Sequence, residues 1–108
     1  MKKYKISDMT GGWYIGSFHP NAYFSDQFEL NYRMHKAGEF WPSHYHKYTT
    51  EINLLINGKM KIQGQLLVNG DIFILEPFEI ADPVFLEDCS IVCLKVPGGN
   101  DKVIVENL

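Results

Sequence analysis

No stretch of this chain sustains a 3.6-residue apolar period, and that absence most constrains its fold. Instead, short segments rich in β-branched and aromatic residues alternate with turn chemistry about every eight to twelve positions. The pattern predicts strands near 13–18, 28–36, 44–47, 50–56, 59–63, 65–68, 72–75, 84–86 and 90–96. Asn57–Gly58 and Asn69–Gly70 are read as hairpin turns, because both turn positions favour positive φ. A single sheet would leave one apolar face and two free edges exposed, so two facing sheets or a small barrel are expected. The 108 residues, 45% apolar and 14% aromatic, suffice for one core. The expectation is one all-β domain over 1–108.

The chemistry concentrates between Gly38 and Gly58. His44 and His46 are two residues apart on an extended segment and project to one face. Glu51 then arrives at the start of an apolar, β-branched segment. Two imidazoles and a carboxylate suit a divalent transition metal such as Fe, Mn, Zn or Ni. His44, His46 and Glu51 are therefore the candidate ligands.

The order glycine, five residues, His-x-His, four residues, Glu, six residues, glycine is matched at Gly38, His44, His46, Glu51 and Gly58. It resembles the first motif of the cupin superfamily. The segment from Gly70 to Asp82, within 70–86, resembles the second motif, with its glycine and Pro77 in place and its usual histidine ligand missing. Counting from Pro77 puts Asp82 in that slot; counting from Gly70 puts Ala81 there. Asp82 is thus a candidate fourth ligand, with a turn role before Pro83 as its alternative, and Glu79 is a further candidate. The resemblance implies a double-stranded β-helix (jelly-roll) barrel and often a homodimer. The N-terminal arm and strand, 1–20, could pack on a partner through its aromatic segment 13–18 or cap the barrel's own end.

Further candidates flank the first motif. Arg33, the only arginine, shares a face with Glu29, Asn31 and His35, while Phe28, Leu30, Tyr32 and Met34 share the other. Small barrels usually have apolar interiors, which favours the second set inward and Arg33 in solvent. With the polar set inward, Arg33 could hold a carboxylate or phosphate bidentately and His35 could serve as acid or base. Asn53 shares the face of Glu51 and would lie next to a metal. Tyr48 could reach the pocket mouth, and Trp41 before Pro42 would supply an apolar wall for a compact ligand.

Other classes are disfavoured. A net charge of −3 argues against a nucleic-acid surface. The apolar runs are too short to cross a bilayer and no apolar stretch follows the N-terminal lysines, so no membrane partner and a cytoplasmic location are expected. Cys89 and Cys93 would sit on one strand face about 13 Å apart, beyond disulfide reach, as small buried hydrophobes. No phosphate loop, nucleophile elbow or CxxC is present. The expected function is a metal-dependent enzyme of dioxygenase, isomerase or lyase type, acting on a small oxygen-rich metabolite such as a carboxylate or sugar derivative. The alternatives are a non-catalytic metabolite- or sugar-binding module and a metal-free epimerase using a motif histidine as base.

Overall fold

The structure, a computed structural model, describes residues 1–105. Two 3-10 turns, Ile6–Asp8 and Thr10–Gly12, precede the strands. These are β1 (Trp13–Gly16), β2 (Tyr23–Phe24), β3 (Glu29–His35), β4 (His44–His46), β5 (Thr50–Asn57), β6 (Lys59–Ile62), β7 (Gln65–Val68), β8 (Ile72–Leu75), β9 (Val84–Phe85), β10 (Cys89–Val96) and β11 (Lys102–Ile104). The sequence pattern missed two of them, β2 and β11. Both are short, and neither shows alternation over enough residues to register.

A six-stranded sheet in the order β2-β1-β3-β10-β5-β8 forms one wall, antiparallel except for the β1–β2 pair. The opposite wall is made of two small sheets, β11-β4 and β7-β6-β9. A bridge between His44 and Ala81 ties β4 to the segment leading into β9. The long strand β10 is central, paired on one side with β3 and on the other with β5.

Because directly opposed residues point to the same face, the register writes the inner surface as rows. Glu29, Lys95 and Glu51 form the first, Asn31, Cys93 and Asn53 the second, and Arg33, Ile91 and Leu55 the third. The barrel is therefore polar towards one end and apolar towards the other. The apolar end closes on a buried cluster of Leu55, Met60, Ile62, Leu75, Ala81, Phe85, Cys89 and Ile91.

Two turn expectations are corrected. Asn57–Gly58 does not close a hairpin: β5 pairs with β10 and β8, and β6 pairs with β7 and β9. The dipeptide instead carries the chain from one wall to the other. Gly58 has φ 114°, and a Cβ there would lie 2.5 Å from the Asp88 carbonyl oxygen. The hairpin of the small sheet turns on Gln63 and Gly64, both at positive φ (50° and 72°) as a two-residue primed turn requires. Asn69–Gly70 is a turn, closed by Asp71 N–H to the Val68 carbonyl at 3.1 Å, but it also passes the chain between walls, from β7 to β8.

Candidate metal centre and cavity

His44 and His46 lie on β4, a strand too short to hold itself and paired with β11 on one side and Ala81 on the other. Glu51 lies on β5 of the facing wall. The strands bring one donor atom from each of the three residues within 4.8 Å of the others. His46 Nε2 is 3.8 Å from Glu51 Oε1.

The other ring nitrogens are occupied. His46 Nδ1 is 2.8 Å from Asp101 Oδ1, and His44 Nδ1 is 3.2 Å from the Pro42 carbonyl oxygen. Donation from each Nδ1–H leaves both Nε2 lone pairs available to a cation, the arrangement that metal-binding histidines require. Burial holds His44 below the usual imidazole pKa, which keeps it neutral, although the Pro42 contact opposes that shift. The donor set therefore fits a divalent transition metal.

Asp101 was not anticipated from the sequence. Its carboxylate also accepts the backbone N–H groups of Tyr48 and Thr49 at 2.8 and 2.9 Å, fixing the turn between the histidines and Glu51. Burial alone would raise its pKa, but these donors and His46 hold it well below the usual carboxylate range. Nothing local marks a residue 55 positions from its partner, in a loop rich in glycine. Cys93 is also more than packing. It is buried and unbridged as expected, and its Sγ donates to Glu51 Oε1 at 3.4 Å. Burial first, then the Glu51 charge, push its thiol pKa far up, so it remains protonated.

The donors open on a cavity of about 680 Å³. The polar face of β3 lines it, so the expectation of an apolar interior with Arg33 in solvent is overturned. The apolar residues of β3 are taken up on the outer face of the sheet, where Tyr32 lies against the N-terminal segment. Arg33 reaches the Trp41 ring, its Cζ 4.7 Å from the centroid. Trp41 lines the cavity and anchors its indole N–H on Glu39 Oε2 at 2.6 Å. His35 stacks on Phe85 at 4.4 Å, with Nδ1 2.7 Å from the same Glu39 oxygen. Asn53, 6% exposed, faces the cavity beside Glu51. Lys95 and Lys102, also unanticipated, line it too. Lys102 has a lowered pKa, from burial first and then from Lys95 and Arg33, with Glu51 opposing.

Other candidates fall elsewhere. Tyr48 is 73% exposed and does not line the cavity; only its backbone N–H is engaged, by Asp101. Asp82 accepts the Gln63 backbone N–H at 2.7 Å, so it supports the turn between β6 and β7 rather than one at Pro83, and it is not in the donor cluster. Glu79 accepts the Glu76 N–H at 2.7 Å. Ala81 is hydrogen-bonded both ways to His44 at 3.0 and 2.7 Å and has its side chain on the cavity, where it offers no ligand atom. Of the N-terminal aromatics, Trp13 and Phe18 line the cavity, while Tyr14 lies on the outer face with Tyr32.

No family model and no curated protein sequence matches the chain. Solved structures do share its fold. A protein with a double-stranded β-helix domain from Klebsiella pneumoniae superposes with a TM-score of 0.70 at 20% identity, over 77% of this chain and 74% of that one. KdgF from Halomonas sp. gives 0.63 at 21% identity, over 71% and 74%. A cupin-2 domain containing protein from Shewanella frigidimarina gives 0.55 at 20% identity, over 67% and 72%. The chain thus shares the double-stranded β-helix fold of these proteins. Among the described residues, no helix is long and apolar enough to cross a membrane.

Proposed function

We propose that the protein is a metalloenzyme that binds one divalent transition metal through His44, His46 and Glu51 and acts on a small oxygen-rich metabolite. The observation that carries the reading is the convergence of three donor atoms within 4.8 Å, two of them on imidazoles whose other nitrogen is already committed. A metal bound there supplies Lewis-acid polarisation of a ligand oxygen. Ala81 beside them contributes only a methyl group, so three protein ligands would leave coordination sites open, as catalytic centres do and closed structural ones do not. Trp41 and Phe85 exclude water from the inner end of the cavity. Asn53 can hold a substrate oxygen, and His35, its Nδ1 bonded to Glu39, can hold or move a proton at Nε2.

The test is metal content. Untagged protein is expected to carry close to one divalent transition metal per chain by elemental analysis, and His46→Ala with Glu51→Ala to lose it. A wild type that is metal-free and cannot be reloaded would sink the reading. Turnover under nitrogen selects isomerase or lyase chemistry; oxygen-dependent turnover selects a dioxygenase. A stoichiometric metal without turnover on any oxygen-rich acid selects the binding module, to which the missing fourth ligand also lends support.

Association into a homodimer is part of the proposal. Support comes from the aliphatic residues Ile52, Leu54, Ile56, Ile72 and Ile74, all exposed on the outside of β5 and β8.

A further inference from the structure

We infer that Arg33 and Lys102, which both lie against the Trp41 ring, form an anion subsite, and that the ligand of this cavity carries a carboxylate held there. The inference rests on the metal reading for where the ligand's other end sits, and deepens it by naming the substrate class.

The argument is one of unmatched charge. Each wall contributes a cation: Arg33 from β3, with Cζ 4.7 Å from the Trp41 centroid, and Lys102 from β11, with Nζ at 5.1 Å. Lys102 is the register partner of His46, so it emerges beside the metal ligands. The other charges in and around the cavity have partners. Lys95 faces Glu29 at 3.6 Å and donates to the Gly99 carbonyl at 2.7 Å. Glu51 lies 3.8 Å from His46 Nε2 and accepts from Cys93, and Asp101 is held by His46 and two backbone N–H groups. Glu39 is committed to His35 and the Trp41 indole. Among the described residues, neither Arg33 nor Lys102 forms an ion pair.

Two like charges converging on one aromatic ring repel each other. The ring face relieves part of that repulsion by cation–π attraction, but a bound anion relieves it directly. A guanidinium presents a planar fork suited to a carboxylate, and an ammonium adds a point charge from the second side. The flat indole beside them suits a planar, sp² group. The chemistry is that of a small carboxylic acid with a second oxygen function able to reach towards Glu51 and the histidines.

Titration calorimetry with malonate and its neutral isostere malonamide, at constant ionic strength, tests this on the full chain, both metal-loaded and after chelator treatment. Malonate is expected to bind in both states and malonamide at least about tenfold more weakly. Arg33→Gln and Lys102→Gln should each cost malonate about tenfold or more, with Lys61→Gln, an exposed lysine on β6, unchanged. Should Arg33→Gln fail to fold, Lys102→Gln, at an exposed residue, carries the test. Equal affinity for both probes, or malonate affinity unmoved in the two variants, overturns the inference. Metal content is measured on the same samples. A protein that keeps its metal but does not discriminate the probes loses the subsite alone. One that discriminates them through Arg33 and Lys102 yet holds no metal keeps the subsite and loses the metal reading.

Discussion

Asp101 Oδ1 lies 2.8 Å from His46 Nδ1, while Asp101 Oδ2 accepts the backbone N–H groups of Tyr48 and Thr49. One carboxylate thus orients a candidate ligand and fixes the turn that delivers the next ligand, Glu51. Asp101→Asn keeps an acceptor but removes the charge, so metal affinity should fall by about 10- to 100-fold with the fold intact. Chelator competition measures this. Asp101→Ala should also lower the melting temperature, because two N–H groups lose their acceptor. Unchanged metal affinity in Asp101→Asn would show that His46 is oriented by packing alone.

The side of the donor cluster next to Ala81 gives a gain-of-function prediction. Ala81 faces the cavity beside His44, whereas Asp82 is engaged with Gln63. Ala81→His should therefore slow metal loss to a chelator, by an imidazole added on the open side. Asp82→Ala should leave metal content unchanged and only weaken the Gln63–Gly64 turn. Metal loss in Asp82→Ala would restore Asp82 as a ligand.

The parts of this protein that are legible in its sequence are those in which spacing along one strand decides the geometry. His44 and His46 share a face because a strand has period two, and the alternation of β3 separates Arg33 from Tyr32 without any tertiary knowledge. What alternation cannot say is which face turns inward. A barrel interior is usually apolar, and here a ligand-sized cavity lies where the packed core would be. Asp101, Lys95 and Lys102 act through partners far along the chain, so no local pattern exposes them. The Asn57–Gly58 signal misled for a related reason: turn chemistry reports φ, and Gly58 needs positive φ to cross between walls.

That crossing makes Gly58 a sensitive position. A Cβ would meet the Asp88 carbonyl oxygen at 2.5 Å and Cys89 Cα at 2.8 Å, with φ fixed at 114°. Backbone atoms cannot move aside as a side-chain tip can. Gly58→Ala is expected to destabilise the protein by about 2 kcal/mol or more, whereas Gly64→Ala, with nothing within 4 Å, should cost only the strain of its positive φ. Denaturant melts of the two variants should rank accordingly; equal losses would mean that the Asp88 approach relaxes freely.

Acid should weaken the inner end of the cavity through Glu39. Burial opposes its ionisation, but the Trp41 and His35 hydrogen bonds and the Lys36 N–H outweigh that and hold its pKa at about 2, against an ordinary value of 4.5. A folded pKa below the unfolded one stabilises the protein fully above about pH 4.5, and the contribution drains away as pH falls towards 2. Glu39→Gln should accordingly melt below wild type at pH 7, and the gap should close between pH 4.5 and 2. Thermal melts across that range measure it. A gap that stays constant would mean that the carboxylate charge contributes nothing there.

The outer face of the large sheet gives the last prediction. Ile72 and Ile74 are 67% and 51% exposed on β8, an edge strand, and register places Ile74 against Ile52 and Ile72 against Leu54. A contiguous aliphatic patch at a free edge is the surface that soluble proteins cover. No charge interrupts these rows, so the patch is complementary to itself and suits a two-fold pairing of identical copies. Wild type should sediment at about twice the 12.5 kDa chain mass, and Ile72→Lys with Ile74→Lys should return it to the monomer without loss of metal. A wild type that stays monomeric at all concentrations would exclude the pairing. A double variant that remains dimeric would move the interface to another surface.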